Sequence, residues 1–167
     1  ALASSMGLRE SRHARCLHSL TEAEVLSGLA FDDAAAYGSY RVDIHHDEGI
    51  TFRYLDGKQE IMRVDRATGA IAWERGRWRP EAGESPTFYQ IPYRCLVPRG
   101  ADNVLCAGRM LDCDRGAYGA CRVMVNCNQM GQAAGVAAAR CVAEGAPIET
   151  AWRGLANETL PEIDYWQ

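Results

Sequence analysis

The stretch from Asn103 to Gly145, NVLCAGRMLDCDRGAYGACRVMVNCNQMGQAAGVAAARCVAEG, limits what this chain can fold into more than any other. It opens with an apolar run, Val104 to Ala107, that reads as a short strand. A turn at Gly108-Arg109 and an irregular segment follow, and then small residues run from about Asn126 to Glu144. The spacing predicts a helix there, with Gly131, Ala134, Gly135, Ala138 and Val142 on one face. A face that small admits another backbone or a flat ligand at short range. The opposite face carries Val136, Ala137 and Cys141, and only Gln132, Arg140 and Glu144 are clearly polar, so burial on most sides is expected. Asn126 with Gln129 three residues later fits an N-cap signature. The first amides of such a helix carry partial positive charge and suit an anion, or a ring edge that becomes anionic during chemistry. From spacing alone the pattern also fits an ordinary buried alanine-rich helix with a satisfied cap.

Composition narrows the class. With 47% apolar and 24% charged residues the chain is globular rather than disordered. A net charge of −4, a single lysine (Lys58) and scattered arginines argue against a nucleic-acid partner, because phosphate binding needs clustered cations. No window approaches the roughly 18 to 20 apolar residues of a membrane span, and no signal peptide is visible, so no membrane partner is expected and the cytoplasm is the expected compartment. The seven cysteines are odd in number and form no CxxC pair, which fits buried reduced thiols. A thiol or metal site on Cys106, Cys113, Cys121 and Cys127 stays open as a weaker alternative.

In chain order, Thr21 and Glu24 form a capping box that opens a short helix. After Gly38, Tyr40, Val42 and Ile44 alternate with Arg41, Asp43 and His45, the pattern of a half-buried strand whose polar face presents Asp43 and His45 together. His45 is therefore a candidate for acid–base work, since imidazole titrates near neutral pH and a carboxylate tunes it. Asp56-Gly57 and Thr68-Gly69 mark turns of a small antiparallel meander. Trp73, Trp78, Arg75, Arg77 and Arg79 follow, as a solvated rim or the wall of a cleft. Thr87 to Val97 reads as a strand interrupted at Pro92, with Arg94 just beyond the kink as an ion pair or an anion contact. Gly108 and Arg109 stand where the Val104 to Ala107 strand would end, a usual ligand edge. Gly145 with Pro147 stops the long helix, and Ile148 to Leu155 suggests one more short helix.

Several of these segments, IPYRCLVP (Ile91 to Pro98), DNVLCAGR (Asp102 to Arg109), CRVM (Cys121 to Met124) and MGQAAGVAAA (Met130 to Ala139), resemble in order and spacing the C-terminal part of the FAD-dependent oxidoreductase family. GLRESR (Gly7 to Arg12), Leu20 to Tyr40 and VDIH (Val42 to His45) are similar to it as well. The resemblance implies FAD contacts at Gly108, Arg109, Arg122, Val123 and Met124, with the long helix aimed at the flavin ring. It implies catalytic or substrate roles for His45 and Arg94, and a small-molecule substrate. The segment Leu111 to Cys121 departs from the family's pattern, which leaves substrate identity open. Family members normally begin with a Rossmann GxGxxG unit, and none occurs here. The opening ALASSMG reads like the interior of a longer polypeptide, so the missing N-terminal Rossmann portion is an expected partner.

The expected architecture is a mixed α/β portion of a two-domain FAD-binding fold. Residues 1–85 form its antiparallel, substrate-side part, 86–145 the second half of the flavin domain, and 146–167 a closing helix and tail. An incomplete sheet would expose an apolar edge and favour homo-oligomers. The alternative is a cofactor-free subunit or interaction module built on the same fold.

Overall fold

The computed structural model describes residues 12–81 and 83–157. The first element, α1 (Glu22–Ser27), starts as the capping box requires: Thr21 Oγ1 accepts from the Glu24 amide, and the Glu24 carboxylate accepts from the Thr21 amide at 2.8 Å. Gly28 ends it in the left-handed region, at φ 64°. Burial raises the Glu24 pKa, but the Thr21 hydrogen bonds and His18 outweigh it and hold the group below its ordinary 4.5. A lowered carboxylate stabilises the fold above its ordinary value, and that contribution fades as pH falls through its folded value. Thr21→Ala should cost about 1 kcal/mol at neutral pH and flatten the acid side of the stability curve. Urea denaturation at neutral pH and in acid measures both.

Two antiparallel sheets follow. β1 (Ala34–Gly38) pairs with β6 (Tyr89–Pro92), while β2 (Val42–His46), β3 (Gly49–Arg53), β4 (Lys58–Val64) and β5 (Ile71–Arg77) form a consecutive meander. The meander's turns lie at the two expected Gly positions, Gly57 and Gly69, both with positive φ. Trp73, Arg75 and Arg77 of the Trp and Arg cluster lie within β5, and the end of that cluster fastens loops: Trp78 donates to the Tyr54 carbonyl, Arg77 to the Asp56 carbonyl and Arg79 to the Leu55 carbonyl. β6 stops at Pro92, which has no N–H to continue the ladder, and the chain tightens into a 3-10 turn, Tyr93–Leu96.

α2 (Arg115–Cys121) and α3 (Met124–Glu144) then pack across both sheets. Asp114 caps α2 by accepting from the Ala117 amide at 2.8 Å. α2 sits so close to β2 that a Cβ on Gly119 would lie 2.4 Å from the Asp43 carbonyl oxygen. Gly145 closes α3 in the left-handed region, and a 3-10 helix, Ile148–Asn157, folds back on α3. One core joins Leu20, Val25, Ile91, Tyr93, Tyr118 and Met130, so it runs across the boundary at residues 85 and 86.

Three expectations from the sequence need correction. Val104 to Ala107 is not a strand: no neighbouring strand pairs with it among the described residues, and Cys106 N–H instead bonds the Leu96 carbonyl. Asn126 is not the N-cap of the long helix, which begins two residues earlier with Val123 as cap. That helix is also not buried on most sides. Asn126, Met130, Ala133 and Ala137 face the core, whereas Gly131, Gly135, Ala138 and Val142 are exposed. Gly131 and Gly135 on the small-residue face have open space within 4 Å of where a Cβ would stand, because packing used the face that carries Met130 and the hydrogen-bonding Asn126.

Candidate functional site

The start of α3, unlike those of α1 and α2, carries no side-chain cap. Val123 has no side-chain oxygen to cap it, so the first amides of α3 lack a side-chain partner. Asn126 is buried instead and anchors the turn, its Nδ2 donating to Tyr89 Oη at 2.9 Å and to the Ala120 carbonyl at 3.3 Å. Tyr89 Oη in turn donates to Ala120 at 2.9 Å, and burial pushes its pKa well up. Gln129 bonds both the N–H and the carbonyl of Tyr37, clamping α3 to β1.

Gly108, at φ 78°, places its turn against the same helix end, the nearest atoms to its Cβ direction being those of Cys127 at 4.0 Å. Arg109 is exposed and close enough to favour the Cys127 thiolate, but burial dominates and the thiol's pKa rises. Met124, at 82% exposure, opens α3. The structure thus gathers Gly108, Arg109, Val123 and Met124 around one helix start.

Arg122 turns the other way. Its Nη2 reaches Asp43 Oδ1 at 2.6 Å, and the same oxygen holds His45 Nε2 at 3.1 Å. Tyr40 Oη donates to the second Asp43 oxygen at 3.3 Å, and Arg115 donates to the His45 carbonyl. Asp43 therefore joins a residue beside the start of α3 to a half-exposed imidazole, His45, in a groove of about 740 Å³. His46 bonds Thr51 across the strand pair. Arg94 is engaged elsewhere: its Nε and Nη2 grip the buried Asp33 at 2.8 and 2.9 Å, and Nη2 also meets Asp32 at 3.2 Å.

A second pocket of about 650 Å³ lies between the end of β1 and the start of α3, with Phe88, Val123 and Val125 on its apolar walls. Sequence reasoning left its cation, Arg41, on the polar face of β2 without a role. Val42 pairs with Arg53, so the ladder continued by one step sets Arg41 opposite Tyr54. That register is the signal that pattern alone withholds.

None of the seven cysteines forms a disulfide; burial pushes Cys16 up to about 12 and also raises Cys95 and Cys121 above the ordinary thiol value. Among the described residues no group of three or more His, Cys, Asp or Glu is placed to hold a metal. No described helix is long and apolar enough to cross a membrane.

A sequence profile for FAD dependent oxidoreductases matches residues 1–155. This chain belongs to the FAD-dependent oxidoreductase family. No curated protein and no solved structure matched in the corresponding searches. Membership implies dependence on FAD and redox chemistry of the flavoenzyme type, and the mixed α/β architecture with antiparallel sheets agrees with a portion of that fold.

Proposed function

We propose that this chain is the C-terminal, flavin-contacting portion of an FAD-dependent oxidoreductase, with Gly108, Arg109, Arg122, Val123 and Met124 forming its side of the FAD site and a small-molecule substrate beside it. The observation that carries this reading is the uncapped start of α3 facing the positive-φ turn at Gly108, with the exposed Arg109 alongside. FAD, when bound, supplies hydride or electron transfer. The chain's own residues bind and orient. First-turn amides favour negative charge at the edge they face, Gly108 permits close approach, and Arg109 offers a planar fork to a phosphate. Arg122, tied to Asp43, fixes the start of α3 relative to β2. His45, with Nε2 held by Asp43, is left to exchange a proton at Nδ1.

The exposed face of α3 supports an N-terminal Rossmann portion as partner. A Cβ on Gly131 or Gly135 would meet nothing within 4 Å, so no contact in the described chain demands their small size. A second backbone packed on that face would.

Visible absorption spectra of the purified chain with FAD, with and without the Rossmann portion co-expressed, test the reading. A perturbed flavin band that survives gel filtration is expected when both portions are present, and Arg109→Ala should weaken binding about tenfold. Both portions together remaining colourless would overturn it in favour of a cofactor-free interaction module.

A further inference from the structure

The guanidinium of Arg41 sits 4.2 Å from the ring centre of Phe52, 5.6 Å from that of Tyr54 and 5.7 Å from that of Tyr40. These rings hold it without neutralising it. Its Nη1 donates to Tyr54 Oη at 3.3 Å, and Tyr54 Oη donates to Glu60 Oε2 at 2.8 Å, so a hydroxyl stands between the cation and the Glu60 carboxylate. No carboxylate lies within 4 Å of Arg41 among the described residues, and its Nε is buried without any hydrogen-bond partner. A half-buried cation that has five N–H donors and so few acceptors is costly unless an anion completes it. The pocket that Arg41 lines reaches the start of α3, where Val123 leaves amides uncapped, and its other described walls are aromatic or aliphatic apart from the uncharged polar Ser39, Asn126 and Gln129.

We propose that this pocket binds a singly charged carboxylate carried on a flat or apolar body, with Arg41 gripping the carboxylate and Phe88, Val123 and Val125 covering the body. Among the described residues Arg41 is the one cation lining the pocket, which suits one negative charge better than the two of a phosphate. This deepens the proposed function, since the pocket shares Val123 with the flavin edge and makes the carboxylate the substrate's handle. The aromatic cage sets the guanidinium plane, so a flexible ammonium would be a poor replacement.

The full chain is titrated with benzoate, with neutral benzyl alcohol and with inorganic phosphate, following amide chemical shifts and heats of binding, without flavin. Benzoate is expected to saturate and to shift the Val123 and Asn126 amides, while benzyl alcohol and phosphate bind at least tenfold more weakly. Arg41→Met should weaken benzoate at least tenfold and Arg41→Lys severalfold, with circular dichroism confirming that both fold. The wild-type shift pattern decides the matter should Arg41→Met unfold. Benzoate binding that is absent, indifferent to Arg41, or displaced by phosphate overturns the proposal. Because no flavin is present, either result stands apart from the flavin titration: a flavin-binding chain with no carboxylate site loses only this inference, and an Arg41-dependent carboxylate site in a flavin-free chain loses only the flavin reading.

Discussion

Gly119→Ala is expected to destabilise the chain by about 3 kcal/mol, lowering its melting temperature by roughly 6–12 °C. Alanine is the better helix former, so propensity alone predicts the opposite sign. Contact decides otherwise. The new methyl would stand 2.4 Å from the Asp43 carbonyl oxygen and 2.9 Å from its nitrogen, and these are backbone atoms of a paired strand that cannot swing aside. α2 must move away from β2, which also stretches the Arg122 bonds to Asp43 and loosens the Asp43–His45 pair. Gly131→Ala is the control: its methyl meets nothing within 4 Å, so propensity should stabilise this chain by about 0.5–1 kcal/mol. Differential scanning calorimetry of both variants measures the contrast. An unchanged melting temperature for Gly119→Ala would mean that the helix and strand do not approach this closely.

Local signals in the sequence carried much of this fold. The Thr21 capping box, the turns at Gly57 and Gly69, the break at Pro92 and the left-handed stop at Gly145 each depend on a residue and its immediate neighbours, and each formed. Asp43 and His45 share the polar face of β2, as their two-residue spacing requires, and meet at 3.1 Å. What depended on distant partners was not legible. Val104 to Ala107 has the composition of a strand, but a strand needs a neighbour and none among the described residues pairs with it. Asn126 has the chemistry of a cap, yet Tyr89, 37 residues away, gives its amide a buried acceptor, and the helix begins earlier. Small residues on α3 mark a face suited to close packing; whether it is occupied depends on what lies against it. Arg41 shows the same limit in the site, since Phe52 and Tyr54 reach it only through the β2–β3 register.

Arg94→Ala should cost about 2–3 kcal/mol, because it removes the cation that compensates a buried acid. The Asp33 side chain is fully buried and accepts from Arg94 through Nε, Nη2 and the main-chain N–H. Substitution keeps only the main-chain bond and leaves the carboxylate facing an apolar interior. The figure stays below the full value for a buried pair, since the Arg94 side chain is 42% exposed and water can enter the space it leaves. The Asp33 main chain also accepts from Tyr93 N–H at 2.7 Å, so the damage would spread to the corner where β6 becomes the 3-10 turn. Asp33→Asn combined with Arg94→Met should recover most of the lost stability, because neither an unpaired charge nor a guanidinium then needs solvating. Urea denaturation of the two single variants and the double variant yields the coupling. If Arg94 acts only as a contact for an anionic substrate, Arg94→Ala will leave stability unchanged and raise KM alone. A loss of stability that the double variant restores assigns it to holding β1 and β6 in place, and then any loss of activity should appear with the loss of fold.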